Sequence, residues 1–142
     1  MTVHGDDGSI AGDDTLYRRI ARHGDTSMMV IDEASGEVSI SSGAFKMDAD
    51  GCSVYLQSVL TEHSMGPAEL VNSPQNVVIA ITADQVRDER LGVRRDPRPF
   101  EEDGYRGEAH ALIVNPADLG RKALRRAFRV LAHGATIVVT PS

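Results

Sequence analysis

The apolar positions of the chain fall into short runs with two different periods. Val77-Val78-Ile79-Ala80-Ile81 is continuous and mostly β-branched, the mark of a strand covered on both faces. "AHALIV" (109–114) reads the same way, and "ATIVV" (135–139) closes the chain as a further strand. Between these runs the period lengthens. In "LGRKALRRAFRVLAHG" (119–134), Leu124, Ala127, Phe128 and Leu131 follow the i, i+3, i+4, i+7 spacing of one buried helix face, and Gly134 can end the helix. Asn115-Pro116 supplies an N-cap type followed by a first-turn proline, so the helical segment is expected to start there.

Thr82 and Gln85 have the spacing of a capping box, Asp84 suits a helix N-terminus, and Gly92 can take a left-handed closing conformation; a helix is expected over 83–91. The first half of the chain reads mainly as strands. "SMMVIDEASGEVSIS" (27–41) places two apolar runs around Glu33-Ala34-Ser35-Gly36, a hairpin composition. Asp48-Ala49-Asp50-Gly51 reads as a turn before a strand at Ser53 to Leu56; as a calcium loop it lacks the third acidic position and the terminal glutamate. "GPAELVNSPQN" (66–76) gives one helical turn and a loop, and "VRRDPRPFEEDGYRG" (93–107), with two prolines, reads as a long surface loop.

Strands first and alternating elements later predict an α+β single domain over 14–142, with one central mixed sheet, two or three short helices and no internal repeat. Residues 1–13, rich in aspartate and glycine, are expected as a flexible acidic tail.

"DDTLYRRIARHG" (13–24) admits two readings. As a helix it buries Leu16, Tyr17, Ile20 and Ala21, with Asp14 as cap and the arginines in water. As a strand it alternates, so Arg18 shares a face with Leu16 and Ile20, while Arg19 lies with Tyr17 and Ala21. An inward guanidinium then needs a carboxylate, a phosphate or several carbonyls.

Composition narrows the classes. With 142 residues, 41% hydrophobic and 25% charged, the chain suits one globular domain. No apolar run approaches the roughly 20 residues of a membrane span, and the acidic N-terminus is unlike a signal peptide, so a cytoplasmic location without membrane contact is expected. A formal net charge of −6 argues against a dedicated nucleic-acid binder. The lone Cys52 reads as a small buried residue. The five histidines, at 4, 23, 63, 110 and 133, have no metal-type spacing, so neither a metal nor a resident cofactor is expected. Only two of the basic residues, Lys46 and Lys122, are lysines, a usage pointing to a GC-rich bacterial genome.

"SSGAFK" (41–46) combines hydroxyls, a glycine and a lysine, a phosphate-contact set without the full P-loop. No Gly-x-Ser-x-Gly elbow is present. His110, inside an apolar run, needs a hydrogen-bond partner and is a candidate proton donor or anion contact. Arg121, Lys122, Arg125, Arg126 and Arg129 cover the outer face of the last helix, either as a solvated surface or as a contact for nucleic-acid phosphates or an acidic protein.

"DDTLYRRI", "SSGAFK", "CSVYL", "ITADQVRDERLGVRRDP", "AHALIV" and "RVLAHGATIVV", which together span most of the chain from residue 13, resemble a family of short, uncharacterised bacterial proteins sharing that order of motifs. That resemblance implies no activity. Tyr17-Arg18, Gly43-Ala44-Phe45, Tyr55-Leu56 and Glu62 or Glu69 also resemble, in order, the RES-domain toxins of the ADP-ribosyltransferase-like group. The resemblance implies NAD as substrate, with Arg18 on the pyrophosphate, Tyr55 stacked on nicotinamide and Glu69 stabilising the developing charge; the second segment departs from that group in lacking Gly-Gly-Arg.

The leading expectation is a small bacterial binding or accessory protein, of antitoxin type, with a polar site made by Arg18, Ser42, Lys46 and His110 that receives an anionic small molecule or a protein partner. The alternatives are the NAD-consuming enzyme and nucleic-acid binding through the last helix.

Overall fold

The computed structural model describes residues 6–21, 29–31, 38–40, 42–45, 51–71 and 76–139. Its strands are β1 (Thr15–Ala21), β2 (Met29–Ile31), β3 (Val38–Ile40), β4 (Cys52–Leu56), β5 (Asn76–Thr82), β6 (Gly92–Arg95), β7 (His110–Val114) and β8 (Thr136–Val139). The helices are α1 (Gln57–Glu62), α2 (Ala83–Asp88), α3 (Phe100–Asp103) and α4 (Arg121–Gly134), with 3-10 turns at Ser42–Phe45, Pro67–Leu70 and Gly104–Ala109. Six strands form one sheet in the order β6-β7-β4-β1-β5-β8, and β2 and β3 pair separately. The α+β class is as expected, with every pairing in the large sheet antiparallel rather than mixed.

Residues 15–21 are a strand, which settles the arginine question. Seven paired positions with β5, from Thr15↔Thr82 to Ala21↔Asn76, put β1 in the middle of the sheet. The pairing of β1 with β4 is shorter, covering only Leu16↔Leu56 and Tyr17↔Tyr55. Beyond it the strands part, and Arg18 occupies the gap. Its Nη1 donates to the Ser53 carbonyl at 2.8 Å, and its Nε donates to the Ala44 carbonyl. The guanidinium thus supplies the Ser53 carbonyl with the donor that a continued ladder would have provided, and ties the 42–45 turn to β1. Arg19, on the other face, donates to the Leu70 carbonyl at 2.8 Å. Asp14 caps a different helix from the one expected. Its carboxylate accepts from Ser58 N (3.2 Å) and Ser58 Oγ (2.6 Å) at the start of α1, which has no cap of its own.

The capping box at Thr82 and Gln85 forms as its spacing implies, but α2 ends at Asp88. Arg90, at φ 65°, takes the left-handed conformation expected of Gly92. Gly92 serves instead to admit a neighbouring chain: a Cβ there would lie 2.9 Å from the Asp6 side chain and 3.0 Å from its backbone. The helical segment also starts later than Asn115. That side chain folds back onto Leu119, accepting from its amide at 2.8 Å and donating to its carbonyl at 3.0 Å, and α4 begins at Arg121. Along α4, Ala127 and Leu131 are buried, with Leu124 and Phe128 packed against the core. "VRRDP" is not all loop, because Val93 to Arg95 pair with β7.

The acidic N-terminal segment is not a tail from Asp6 onward. β6 is a sheet edge, and its outward groups are met by this segment: Asp7 N donates to Val93 O (2.7 Å), and Val93 N donates to Asp6 Oδ1 (3.1 Å). Arg87 pairs with Asp6 at 3.0 Å. Hydrogen bonds from the Ser9 hydroxyl and amide hold the Asp7 carboxyl below the usual carboxylate range, with Arg95 and Arg87 adding to the effect against burial. Ile10, one residue in a run of polar ones, is 1% exposed. The expected hairpin turn at residues 33–36 lies outside the described residues, as do residues 48–50 of the turn expected at 48–51.

Truncating Ile10 tests this docking. Ile10→Ala is expected to cost about 2–5 kcal/mol in urea unfolding, the range for a buried aliphatic side chain cut to alanine. A loss under about 0.5 kcal/mol, typical of surface positions, would mean that the segment does not contribute to the fold.

Candidate functional site

Antiparallel pairing fixes which side chains share a face. His110 pairs with Tyr55, Tyr55 with Tyr17, and Tyr17 with Ala80, so these form a row across β7, β4, β1 and β5. Ser53 lies on the same face, two residues along β4. Arg18 belongs to the opposite face, with Leu16 and Ile20. The sheet therefore separates Arg18 from His110, and equally from Tyr55. Of the four residues expected to form an anion site, Arg18, Ser42, Lys46 and His110, the first and last lie on opposite faces of the sheet, and the Arg18 guanidinium donates to two carbonyls. The backbone of Ser42 starts the 42–45 turn, and Lys46 lies outside the described residues. Of Arg18, Tyr55 and Glu69, the first lies across the sheet from the second, and Glu69 turns its carboxylate to Gly66 N (3.0 Å), closing the turn it belongs to.

A different group does converge. His110 is 4% exposed, and the sequence reading that its ring needs partners is met on both nitrogens. Nδ1 lies 2.8 Å from the Asp96 carbonyl and 3.1 Å from Asp96 Oδ2; Nε2 lies 3.1 Å from Ser53 Oγ. The carbonyl accepts at Nδ1 and the carboxylate lies at ion-pair distance from it, which places the proton there. Nε2 is then the acceptor, and the Ser53 hydroxyl donates to it. The 3.3 Å approach of Arg98 Nε to Nδ1 is a contact between two donors in that tautomer, and the arginine's attachment is through Nη2 to Asp96 Oδ2 at 3.0 Å.

Local sequence explains why Asp96 is held there. The β6–β7 ladder ends at Arg95↔Ala111, with Asp96 N donating to His110 O at 3.0 Å as the last bond, and Pro97 restricts Asp96 to extended backbone there. Arg98 N then donates to Gly107 O at 2.8 Å, closing the loop on itself. Gly107 permits this approach, since a Cβ would sit 2.6 Å from the Arg98 carbonyl.

Tyr55 continues the polar line. Its ring meets the His110 ring edge-on, with centroids 5.5 Å apart, and its hydroxyl donates to Asp103 Oδ2 at 2.6 Å. Asp103 Oδ1 accepts from Arg106 Nε at 2.5 Å, and Arg106 Nη1 donates to the Glu69 carbonyl at 3.0 Å. Burial pushes the Tyr55 phenol up to about 12, and its bond to the Asp103 carboxylate adds to the shift.

Two clefts adjoin over this face. The inner one, about 250 Å³, is lined by Ser53, Tyr55, Arg98, Glu102, Asp103 and His110. The outer one, about 470 Å³, shares Glu102 and Asp103 with it and adds Met65, Glu69, Glu101, Arg106 and two exposed rings, Phe100 and Tyr105. Those rings stand at 68° with centroids 5.0 Å apart, and Tyr105 stacks on His63, which bonds Glu108 at 2.7 Å. Of these residues only His110, Tyr55 and Glu69 are singled out by sequence. Ser53, Asp96 and Arg98 are distant along the chain, and their one local signal is the Asp-Pro step that ends a strand beside the histidine's own.

Arg121, Lys122, Arg125, Arg126 and Arg129 are exposed along α4, as their spacing implies. Cys52 is buried. Among the described residues no group of metal-ligating side chains is present, and no helix is long and apolar enough to cross a membrane. No family model matches the chain, and neither does any curated protein or solved structure.

The Tyr55–Asp103 bond makes a pH prediction. A phenol that keeps its proton in the folded state contributes stability below its unfolded value of 10.0, and that contribution is lost as the pH rises through about 12. Thermal unfolding of the wild type should therefore weaken over this window more than that of Tyr55→Phe. Parallel curves for the two proteins would show that the phenol is not held as described.

Proposed function

We propose that the protein is a binding module whose adjoining clefts receive a positively charged side chain, lysine or arginine, from a partner protein. One observation carries this reading: the outer cleft sets two aromatic rings, near perpendicular, beside Glu101 and Glu102, neither of which makes an ion pair among the described residues. Ring faces attract cations through their quadrupole, and nearby carboxylates add a direct Coulomb attraction. Phe100 is 60% exposed and Tyr105 59%, so both rings are open to a ligand.

The sign of the ligand follows from the committed charges. Arg98 is paired with Asp96 and Arg106 with Asp103, which leaves the acids in excess on the cleft walls. An anion would meet Glu101 and Glu102 unopposed. This reading keeps the binding role expected from sequence, moves the site away from Arg18 and reverses the charge of its ligand. Binding of NAD or of nucleic acid stays with the sequence resemblance and with the basic face of α4.

Calorimetric titration with a short oligoarginine peptide tests it, with NAD and a short DNA duplex as competing probes. The peptide should bind at low salt, bind less well as salt rises, and lose about two- to fivefold in affinity in Phe100→Ala, the equivalent of an exposed cation–π contact. Glu102→Gln should weaken it as well. Binding of NAD or duplex without peptide binding would contradict the proposal.

A further inference from the structure

We infer that Ser53, His110 and Asp96 form a hydroxyl–imidazole–carboxylate relay that activates Ser53 as a nucleophile toward short-chain esters. The inference goes beyond the binding role and does not depend on it. It rests on three features that occur together. The first is distance and order: Ser53 Oγ is 3.1 Å from His110 Nε2, and Asp96 Oδ2 is 3.1 Å from Nδ1. The second is the tautomer, since Nδ1 donates to the Asp96 carbonyl, with Asp96 Oδ2 at ion-pair distance beside it, and Nε2 is left as the base. The third is access, because Ser53 and His110 both line the inner cleft of about 250 Å³, a volume suited to a small acyl group. Distance and role identify such a relay, and the chain order of its members does not.

The steps balance. Ser53 Oγ attacks the ester carbonyl carbon while its proton passes to His110 Nε2. The tetrahedral oxyanion collapses, the bond from carbon to the leaving alkoxide oxygen breaks, and Nε2 returns the proton to that oxygen. Water then attacks the acyl-Ser53 carbonyl and gives its proton to Nε2; the bond from the acyl carbon to Ser53 Oγ breaks, the acid leaves, and Nε2 returns the proton to Oγ. Arg98 is the cation on the wall of this cleft and is the group that would face the oxyanion. Asp96 is a positioning residue. Its backbone carbonyl also holds Nδ1, so Asp96→Asn should preserve the tautomer and slow the reaction less than loss of the imidazole.

A neutral fluorophosphonate ester provides the test, because it reacts with an activated serine and not with an ordinary one. The folded protein should be labelled, with the adduct located on Ser53 by mass spectrometry. Ser53→Ala should abolish it, and His110→Gln should slow it at least about 100-fold, the lower range for a general base. Should His110→Gln fail to fold, heat-denatured wild type serves as the reference, since unfolding disperses the relay and must abolish labelling. Absence of the Ser53 adduct in the folded protein, or equal labelling of folded and denatured protein, overturns the inference. The reagent carries no positive charge, so failure here leaves the cation site untouched, and failure of the peptide titration leaves Ser53 labelling untouched.

Discussion

Everything placed over the middle of the sheet depends on the register of β1 between β4 and β5. Tyr17 faces Tyr55 on one side and Ala80 on the other, and Tyr55 in turn faces His110. A slip of one residue would send every side chain of β1 to the other face. Leu16 and Ile20 would leave the core, and Arg18 would enter the row of tyrosines. The register is specified by burial, because both apolar residues are at most 1% exposed. The polar face inherits its order from that apolar requirement. Ser53, Tyr55 and His110 are neighbours because the residues between them are core.

The adjacent arginines are the two outcomes of strand alternation. Each ends on a backbone carbonyl, Arg18 at Ser53 and Ala44, and Arg19 at Leu70. Carbonyls satisfy a guanidinium's donors without a compensating carboxylate, and its planar fork can serve two of them at once. Arg18 binds chain to chain where the β1–β4 ladder stops, and the Ser53 carbonyl it holds belongs to the residue whose hydroxyl faces His110. One strand position is thus fixed from both faces of the sheet.

Strong periodicity was the legible part of the chain. The run 77–81, the stripe along α4 and the capping box at Thr82 each carry enough local signal to specify an element. Weak or divided signals misled. Ile10 is one apolar residue among aspartates and glycines, with no periodicity to mark it, yet it joins the core. Asn115 has the chemistry of a helix cap but spends it on the Leu119 backbone. Arg94 and Arg95 look like loop residues, yet an edge strand has solvent to receive them. The candidate site was legible in one residue and not as a set. His110 stands out as a polar ring in an apolar run, whereas Ser53 and Asp96 join it only through two antiparallel ladders.

His110 holds its proton on Nδ1 and turns Nε2 to Ser53. Long-range 15N–1H correlation NMR of the histidine-labelled protein at neutral pH reads this directly from the two ring nitrogens. The expected spectrum shows a protonated Nδ1 and an unprotonated Nε2. A proton on Nε2, or on both nitrogens, would contradict it, because Ser53 would then face a donor and no base would remain in the cleft.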